Sequence, residues 1–483
     1  MTKYPIAVHE VSLFLRNLTL RVPFRYGITT MTRVPHLVVR LHAEINGRPQ
    51  FGFAADNLPP KWFTKNPATS FEQELEEMLT VAEVASELAF QILADTSVFA
   101  LCRELSRQQT IWASARGLPP LLSGFGVSLI ERALIDAFCR ATGQTFSQAI
   151  ASNTLGVRLG DIHPELGDTS PSDYLPPSPS RSVIVRHTVG LADPLTDAEA
   201  KREATPHEGL PHSLEEFIRT HGLTHFKIKL CGEIERDRDR LHQLARLIPQ
   251  SGRECAFTLD GNENFRTVAP FRQLWNDLHA DPCLTDFLRG LIFVEQPFHR
   301  DIALAETTTA ELLAWKDRPP IIIDESDAED HSLRLALAGG YVGTSHKNCK
   351  GVFRGLANAC LIARHRRLQP ETPWQISAED LTNLGPIALP QDLAAIAILG
   401  ITHAERNGHH YFAGLSQFPE PIQQQARQAH PDLYETHPEG FPIVRIRDGQ
   451  LQIGTVVDAP FGVGFEPDLT EFIPRAQWTF ASL

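Results

Sequence analysis

The chain has 483 residues, a formal net charge of −13, 42% hydrophobic and 21% charged residues. That length can bury a large core and predicts two domains or one with an appendage; the composition is that of a globular protein, and the acidic balance argues against nucleic acid as a partner. Seven scattered cysteines without a CxxC pair predict reduced thiols and a cytoplasmic location, and the lack of a signal-peptide pattern or an 18-residue apolar run predicts no membrane partner.

The first fifty residues read as strands, VHEVSLFL and VPHLVVRLHAEI, with a hairpin turn signal at Asn46–Gly47. From Ser70, a plausible N-cap, SFEQELEEMLTVAEVASELAFQIL predicts a helix, and GVSLIERALIDAFCRATG predicts a second with Ile130, Leu134, Ala137 and Phe138 on one face. Residues 1–150 are therefore expected to form an α+β unit. A Pro/Ser-rich stretch, DIHPELGDTSPSDYLPPSPS, marks a linker or insertion within 151–182.

Short apolar runs then alternate with amphipathic stretches: SVIVRHTV, HFKIKL, CAFTLD, GLIFVEQP, PPIIIDE, GGYVGTSHK, WQIS and AAIAILGITHA. Eight candidate strands separated by helices predict an α/β fold closed into a TIM-like barrel over 183–412. The tail, 413–483, carries an Asp-Gly hairpin signal in FPIVRIRDGQLQIG and is expected to return to the first unit. GVGF resembles a fragment of a phosphate loop, but no helix pattern succeeds it.

Charged residues close the successive strands: Lys229, Asp260, Glu295, Asp324 and Lys347, spaced by 31, 35, 29 and 23 residues, each suited to one β/α unit. The carboxyl ends of barrel strands meet at one face, so three carboxylates are expected to converge there. Such carboxylates require a counter-charge, and all-oxygen ligation selects a hard divalent cation such as Mg²⁺ over zinc. Lys229 and Lys347, on strands two and six, are expected to face each other across the mouth with Lys227 on the same side as Lys229. Crowding by Lys227 and the metal is expected to lower the basicity of Lys229. A base on each face of a metal-held carboxylate favours abstraction of the neighbouring proton to give an enediolate.

These motifs resemble the enolase superfamily, in its muconate-lactonizing and mandelate racemase-like, lysine–lysine branch: FKIKLCG its KxK strand, LDGNENF its DxN, FVEQPF its EQP, IIIDES its DES and SHKNCKG its sixth-strand lysine. The resemblance implies a (β/α)7β barrel with a capping domain made from both chain ends. It also implies one Mg²⁺ on Asp260, Glu295 and Asp324, Lys229 and Lys347 as the acid/base pair, a small carboxylate substrate, and a homo-oligomer. VPFRYG resembles the loop that closes over substrate, which makes Arg25 and Tyr26 candidate substrate contacts, together with Lys227, Asp380, Glu405 and Asn407. Asn262 is expected to orient Asp260, and Glu325 is the alternative to Asp324. His409 and His410 are expected to be loop histidines.

The chain departs from the pattern in extra length at 161–180 and 191–212, in KGVFRG where a double glycine is expected, and in ITHAERNGHH, which lacks a DxD pair. The expected activity is that of an isomerase, racemising, epimerising or cycloisomerising its substrate. An acid-sugar dehydratase is an alternative, although WQISAED offers no histidine base. A non-catalytic binding module is another, against which both retained lysines argue.

Overall fold

The computed structural model of the protein describes residues 4–92, 97–202 and 209–483. Three long strands, β1 (Ile6–Tyr26), β2 (Thr29–Ile45) and β3 (Arg48–Asn57), form an antiparallel meander. Asn46 and Gly47, both with positive φ, make the β2–β3 turn. Helices α1 (Phe71–Gln91) and α3 (Pro120–Thr142) pack on this sheet, and α2 (Val98–Ser114) packs against both. Ser70 caps α1 in a reciprocal box with Gln73, and Gly143 ends α3 at φ 65°. The α3 face expected from the sequence, Ile130, Leu134, Ala137 and Phe138, is buried. The approach of α3 to β3 is too close for a side chain at Gly52, where a Cβ would stand 2.0 Å from the Ala133 carbonyl oxygen.

Eight parallel strands come next: β4 (Ser182–Val189), β5 (His225–Lys229), β6 (Ala256–Asp260), β7 (Leu291–Glu295), β8 (Ile321–Ile323), β9 (Gly343–His346), β10 (Gln375–Ala378) and β11 (His403–Arg406). They pair in chain order from β4 to β10, and β11 returns to pair with β4, the curled parallel sheet of a TIM-like barrel. The runs of Ile, Val, Leu and Phe in β4, β7 and β8 suit strands buried on both faces. The expected eighth strand, AAIAILGITHA, is corrected here: its apolar run is part of a helix, Ala388–Leu399, and only its last residues join β11. Every residue of that helix is buried, so its apolar run carries no amphipathic period to separate helix from strand.

The tail divides between both units. It forms β12 (Tyr434–Thr436) and β13 (Pro442–Val444), paired with each other; β14 (Gln450–Gln452), which joins β4; and β15 (Ile473–Pro474), which joins β1. The Pro/Ser-rich segment is a series of short turns with Leu159, Ile162, His163 and Leu166 buried. His163 Nε2 lies 2.8 Å from Asn358 Oδ1 on the barrel helix Val352–Leu368, which ties the segment down. Of the long loop expected at 191–212, residues 203–208 lie outside the described residues. Among the described residues, no helix is long and apolar enough to cross a membrane.

A layer of histidines covers the outside of β4. His187 Nδ1 lies 3.0 Å from His409 Nε2, the His187 and His410 rings stack at 5.3 Å, and Phe217 packs 4.6 Å from His187. His409 and His410 belong to a short helix, Gly408–Tyr411, rather than to a loop. Burial, reinforced by neighbouring cationic groups, pushes His410 down to about 3 and His221 down to about 4, and holds His187 well below its ordinary value. These rings fold in the neutral form, so their contribution is complete above pH 6.5 and is lost as the pH falls toward their folded values. A ring shifted from 6.5 to about 4 costs on the order of 2 kcal/mol by pH 5. The thermal midpoint is therefore expected to fall between pH 7 and pH 5, with His410→Phe flattening the decline.

Candidate active site

Strand register levels the charged ends. Lys229 on β5 is abreast of Asp260 on β6, and Asp260 is abreast of Glu295 on β7. Asp324 and Glu325 follow β8, Lys347 follows β9, Glu379 and Asp380 follow β10, and Glu405 lies within β11. All converge at the carboxyl end of the barrel, where a cavity of ≈ 40 Å³ is lined by Lys229 and Lys347 together with Asp260, Asp324, Glu379 and Glu405. Asn262, Glu325, Asp380 and Asn407 also line it, whereas Glu295 and Lys227 lie beneath, almost wholly buried.

Lys227 is the hub of the floor. Its Nζ lies 2.6 Å from Glu379, 2.9 Å from Glu405, 2.9 Å from Asp260 and 3.0 Å from Glu295. Burial alone would favour the neutral amine, but those four carboxylates outweigh it and hold Lys227 well above its ordinary value. This changes the expected role of Lys227: it does not crowd Lys229 as a bare cation, because its charge is consumed by carboxylates. Lys229 donates to Asp260 at 2.6 Å, and burial, which would raise that carboxyl, is outweighed by Lys227 and Lys229, bringing it down to about 2. Lys347 Nζ stands 2.9 Å from Asp324 and 3.0 Å from Glu379, so Glu379 joins Lys227 to Lys347.

The residues around the charges orient them. The Asn262 amide donates to Asp260 Oδ1 at 2.8 Å from a backbone with φ 43°. Gln296, the residue after Glu295, accepts the Asp324 amide at 2.7 Å and donates to Ser326 at 2.7 Å, fixing the β8 end against the β7 end. Lys350 donates to the Asp324 and Ser345 carbonyls and pairs with Asp324 Oδ1 at 2.7 Å. Burial, then Asp324 and Glu263, push Glu325 up to about 8.

The first unit supplies the roof. Alternation along β1 turns Phe24 and Tyr26 into the cavity and Arg25 outward, so Arg25 is exposed and does not line it. Tyr26 offers its ring, since its hydroxyl donates to the Pro60 carbonyl at 2.8 Å. Pro59 and Trp62 complete the roof, with Trp62's ring centre 4.3 Å from Lys347 Nζ. A latch fastens this segment to the barrel: Arg300 donates to the Trp62 carbonyl at 2.9 Å and the Phe63 carbonyl at 2.8 Å while pairing with Glu263 at 2.8 Å, and Lys65 pairs with Glu263 at 3.2 Å. Arg300→Ala is expected to free the roof and raise KM about tenfold with divalent-metal affinity unchanged, as read by steady-state kinetics and metal titration.

Among the described residues, the carboxylates whose oxygens all lie within 4.8 Å of one another are Glu295, Asp324 and Glu379. Asp260 is outside that set, held by the two lysines. Glu379 was not singled out from the sequence; the two adjacent acids of SAED differ only in direction, and Asp380 instead pairs with Arg406 at 2.5 Å. The set fits a hard cation: every candidate ligand atom is a carboxylate oxygen, and neither oxygen of the buried Glu295 meets a hydrogen-bond donor in good geometry.

No protein-family model matches the chain, and no curated protein matches it. Solved structures do match over nearly the whole length. A mandelate racemase/muconate lactonizing protein from Herpetosiphon aurantiacus is 17% identical with a TM-score of 0.57, covering 95% of this chain and 99% of that one. A muconate lactonizing enzyme from Pseudomonas fluorescens, complexed with muconolactone, is 17% identical with a TM-score of 0.57, covering 97% and 99%. An enolase from Bradyrhizobium complexed with magnesium and mandelic acid is 14% identical with a TM-score of 0.55, covering 95% and 96%. The chain thus has the α/β fold of the enolase-superfamily mandelate racemase/muconate lactonizing proteins, a TIM-like barrel with a capping domain.

Proposed function

We propose that the protein is a divalent-metal-dependent isomerase that removes the proton next to a substrate carboxylate, forming an enediolate that is reprotonated, in racemisation or epimerisation, or that undergoes cycloisomerisation. The observation that carries this reading is the pair of lysines, Lys229 after one side of the ring of strands and Lys347 after the opposite side, lining one cavity above a carboxylate floor. Glu295, Asp324 and Glu379, with Asp260 beside them, would hold one Mg²⁺. When bound, that ion would supply the positive charge that offsets charge developing on the substrate carboxylate.

The chain's own residues do the rest. Lys229 or Lys347, whichever lies on the face bearing the proton, accepts it as the neutral amine, and the other returns a proton from the opposite face. Lys227 holds the floor carboxylates in place from below. Asp380, Glu405 and Asn407 border the substrate space, and the Phe24–Tyr26–Trp62 roof excludes water from it. The described cavity lining contains no histidine, so the strand-seven base of a dehydratase has no counterpart among those residues.

The test is solvent exchange: protein and Mg²⁺ in D₂O with a mixed panel of carboxylic acids, read by mass spectrometry. Deuterium gained at one α-carbon, and lost on adding EDTA, is the expected result. No exchange in any acid by the Mg²⁺-loaded protein would count against it.

A further inference from the structure

The floor and the roof of the cavity differ in kind, and together they limit what the substrate carries away from its carboxylate. Among the described acids of the floor and the cavity lining, all but Glu325 already meet a cation. Asp260 accepts from Lys229 at 2.6 Å, Asp324 meets Lys347 at 2.9 Å and Lys350 at 2.7 Å, and Asp380 meets Arg406 at 2.5 Å. Glu379 and Glu405 share Lys227 at 2.6 and 2.9 Å. A substrate ammonium directed at any of them would have to displace a lysine or arginine. The described roof residues bring no charge: Phe24, Tyr26, Pro59 and Trp62 face the cavity, Leu381 adds an apolar edge, and Arg25 is turned away. A second carboxylate or a phosphate placed there would be buried against ring faces and would lose its water without gaining a donor from the roof.

The roof is also built to keep its shape. Phe24 stacks on Tyr411 at 4.1 Å and packs 4.8 Å from Tyr26, and the carbonyl of Trp62 is held by Arg300, half-buried and paired with the buried Glu263. The cavity of ≈ 40 Å³ compares with the roughly 10–15 Å³ that one water needs, so the space above the lysines is small.

We propose that the substrate is a compact carboxylate whose far end is uncharged and apolar, and that Trp62 is the residue that selects it. This rests on the proton-abstraction reading of the same cavity. Trp62 touches both halves of the problem, because its ring lies against Lys347 on one side of the cavity and forms part of the roof over the substrate space. A flat or branched apolar group slid beneath it gains contact area without displacing any charge.

Hydroxamates test this, since R–CO–NHOH presents two oxygens to a metal much as an enediolate does while R is varied freely. Calorimetric titration of the Mg²⁺-loaded protein would use acetohydroxamate, with almost no far end, benzohydroxamate, with an apolar one, glycine hydroxamate, with an ammonium, and succinic monohydroxamate, with a second carboxylate. The expected result is that benzohydroxamate binds at least tenfold more tightly than either charged probe. Trp62→Ala, and separately Trp62→Leu as the variant that preserves bulk, should weaken benzohydroxamate about tenfold more than acetohydroxamate. If a charged probe binds as tightly as benzohydroxamate, the substrate class is wrong; if both Trp62 variants leave the preference intact, the role of Trp62 is wrong. Failure of acetohydroxamate itself to bind the metal-loaded protein would instead overturn the proton-abstraction reading, and the substrate class with it.

Discussion

Lys229→Ala and Lys347→Ala are each expected to cut conversion of the substrate by about 10³-fold, within the range of roughly 10²–10⁴ that a positioned acid or base contributes. The pattern of residual exchange distinguishes the reactions. In a racemase each variant keeps α-proton exchange from one enantiomer, because the surviving lysine still serves its own face while turnover to the mirror form is lost. In a cycloisomerase only one of the two substitutions abolishes proton transfer. Both lysines are buried among carboxylates, Lys347 beside Asp324 and Glu379 and Lys229 beside Asp260, so each variant's thermal midpoint is measured alongside its activity. Loss of exchange from both enantiomers at an unchanged midpoint in either variant alone would contradict a two-faced mechanism.

Lys227→Met is expected to be the most damaging single substitution for stability. It removes one cation from among Asp260, Glu295, Glu379 and Glu405, all within 3.0 Å of its Nζ, and leaves buried carboxylates facing one another. Breaking a buried pair by deleting one partner costs about 3–5 kcal/mol. Because the missing charge is positive and the ligands are oxygens, millimolar Mg²⁺ is expected to restore part of the loss by binding the folded form. Denaturant titration with and without Mg²⁺ checks this, and a loss below about 1 kcal/mol would show that the floor does not depend on Lys227.

Much of this arrangement was legible because strands and their terminal charges are local features. HFKIKL, CAFTLD, GLIFVEQP and PPIIIDE each pair a short buried run with a charged end, and the observed register sets Lys229, Asp260 and Glu295 side by side. Glu379 was not legible, because SAED offers two neighbouring acids and only the turn after β10 decides which one reaches Lys227 and Lys347. The roof was legible only in part: VPFRYG pointed to Tyr26, which lines the cavity, but Phe24 and Trp62 were not singled out, because they come from the first unit and nothing local ties them to Lys347. The run AAIAIL, the second half of the helix Ala388–Leu399, suits a strand as well as a helix in sequence, because full burial removes the polar face that would show a helical period. The latch on Glu263 was invisible for a related reason, since its partners Lys65 and Arg300 lie on separate segments.

Metal location tests the central claim most directly. Crystals grown with Mn²⁺ in place of Mg²⁺, measured for anomalous scattering, should show one peak per chain bounded by oxygens of Glu295 and Asp324, with Asp260 and Glu379 alongside and Lys229 and Lys347 on either side. Glu295→Gln should remove it. A peak elsewhere, or no bound Mn²⁺ at millimolar concentration, would contradict the account.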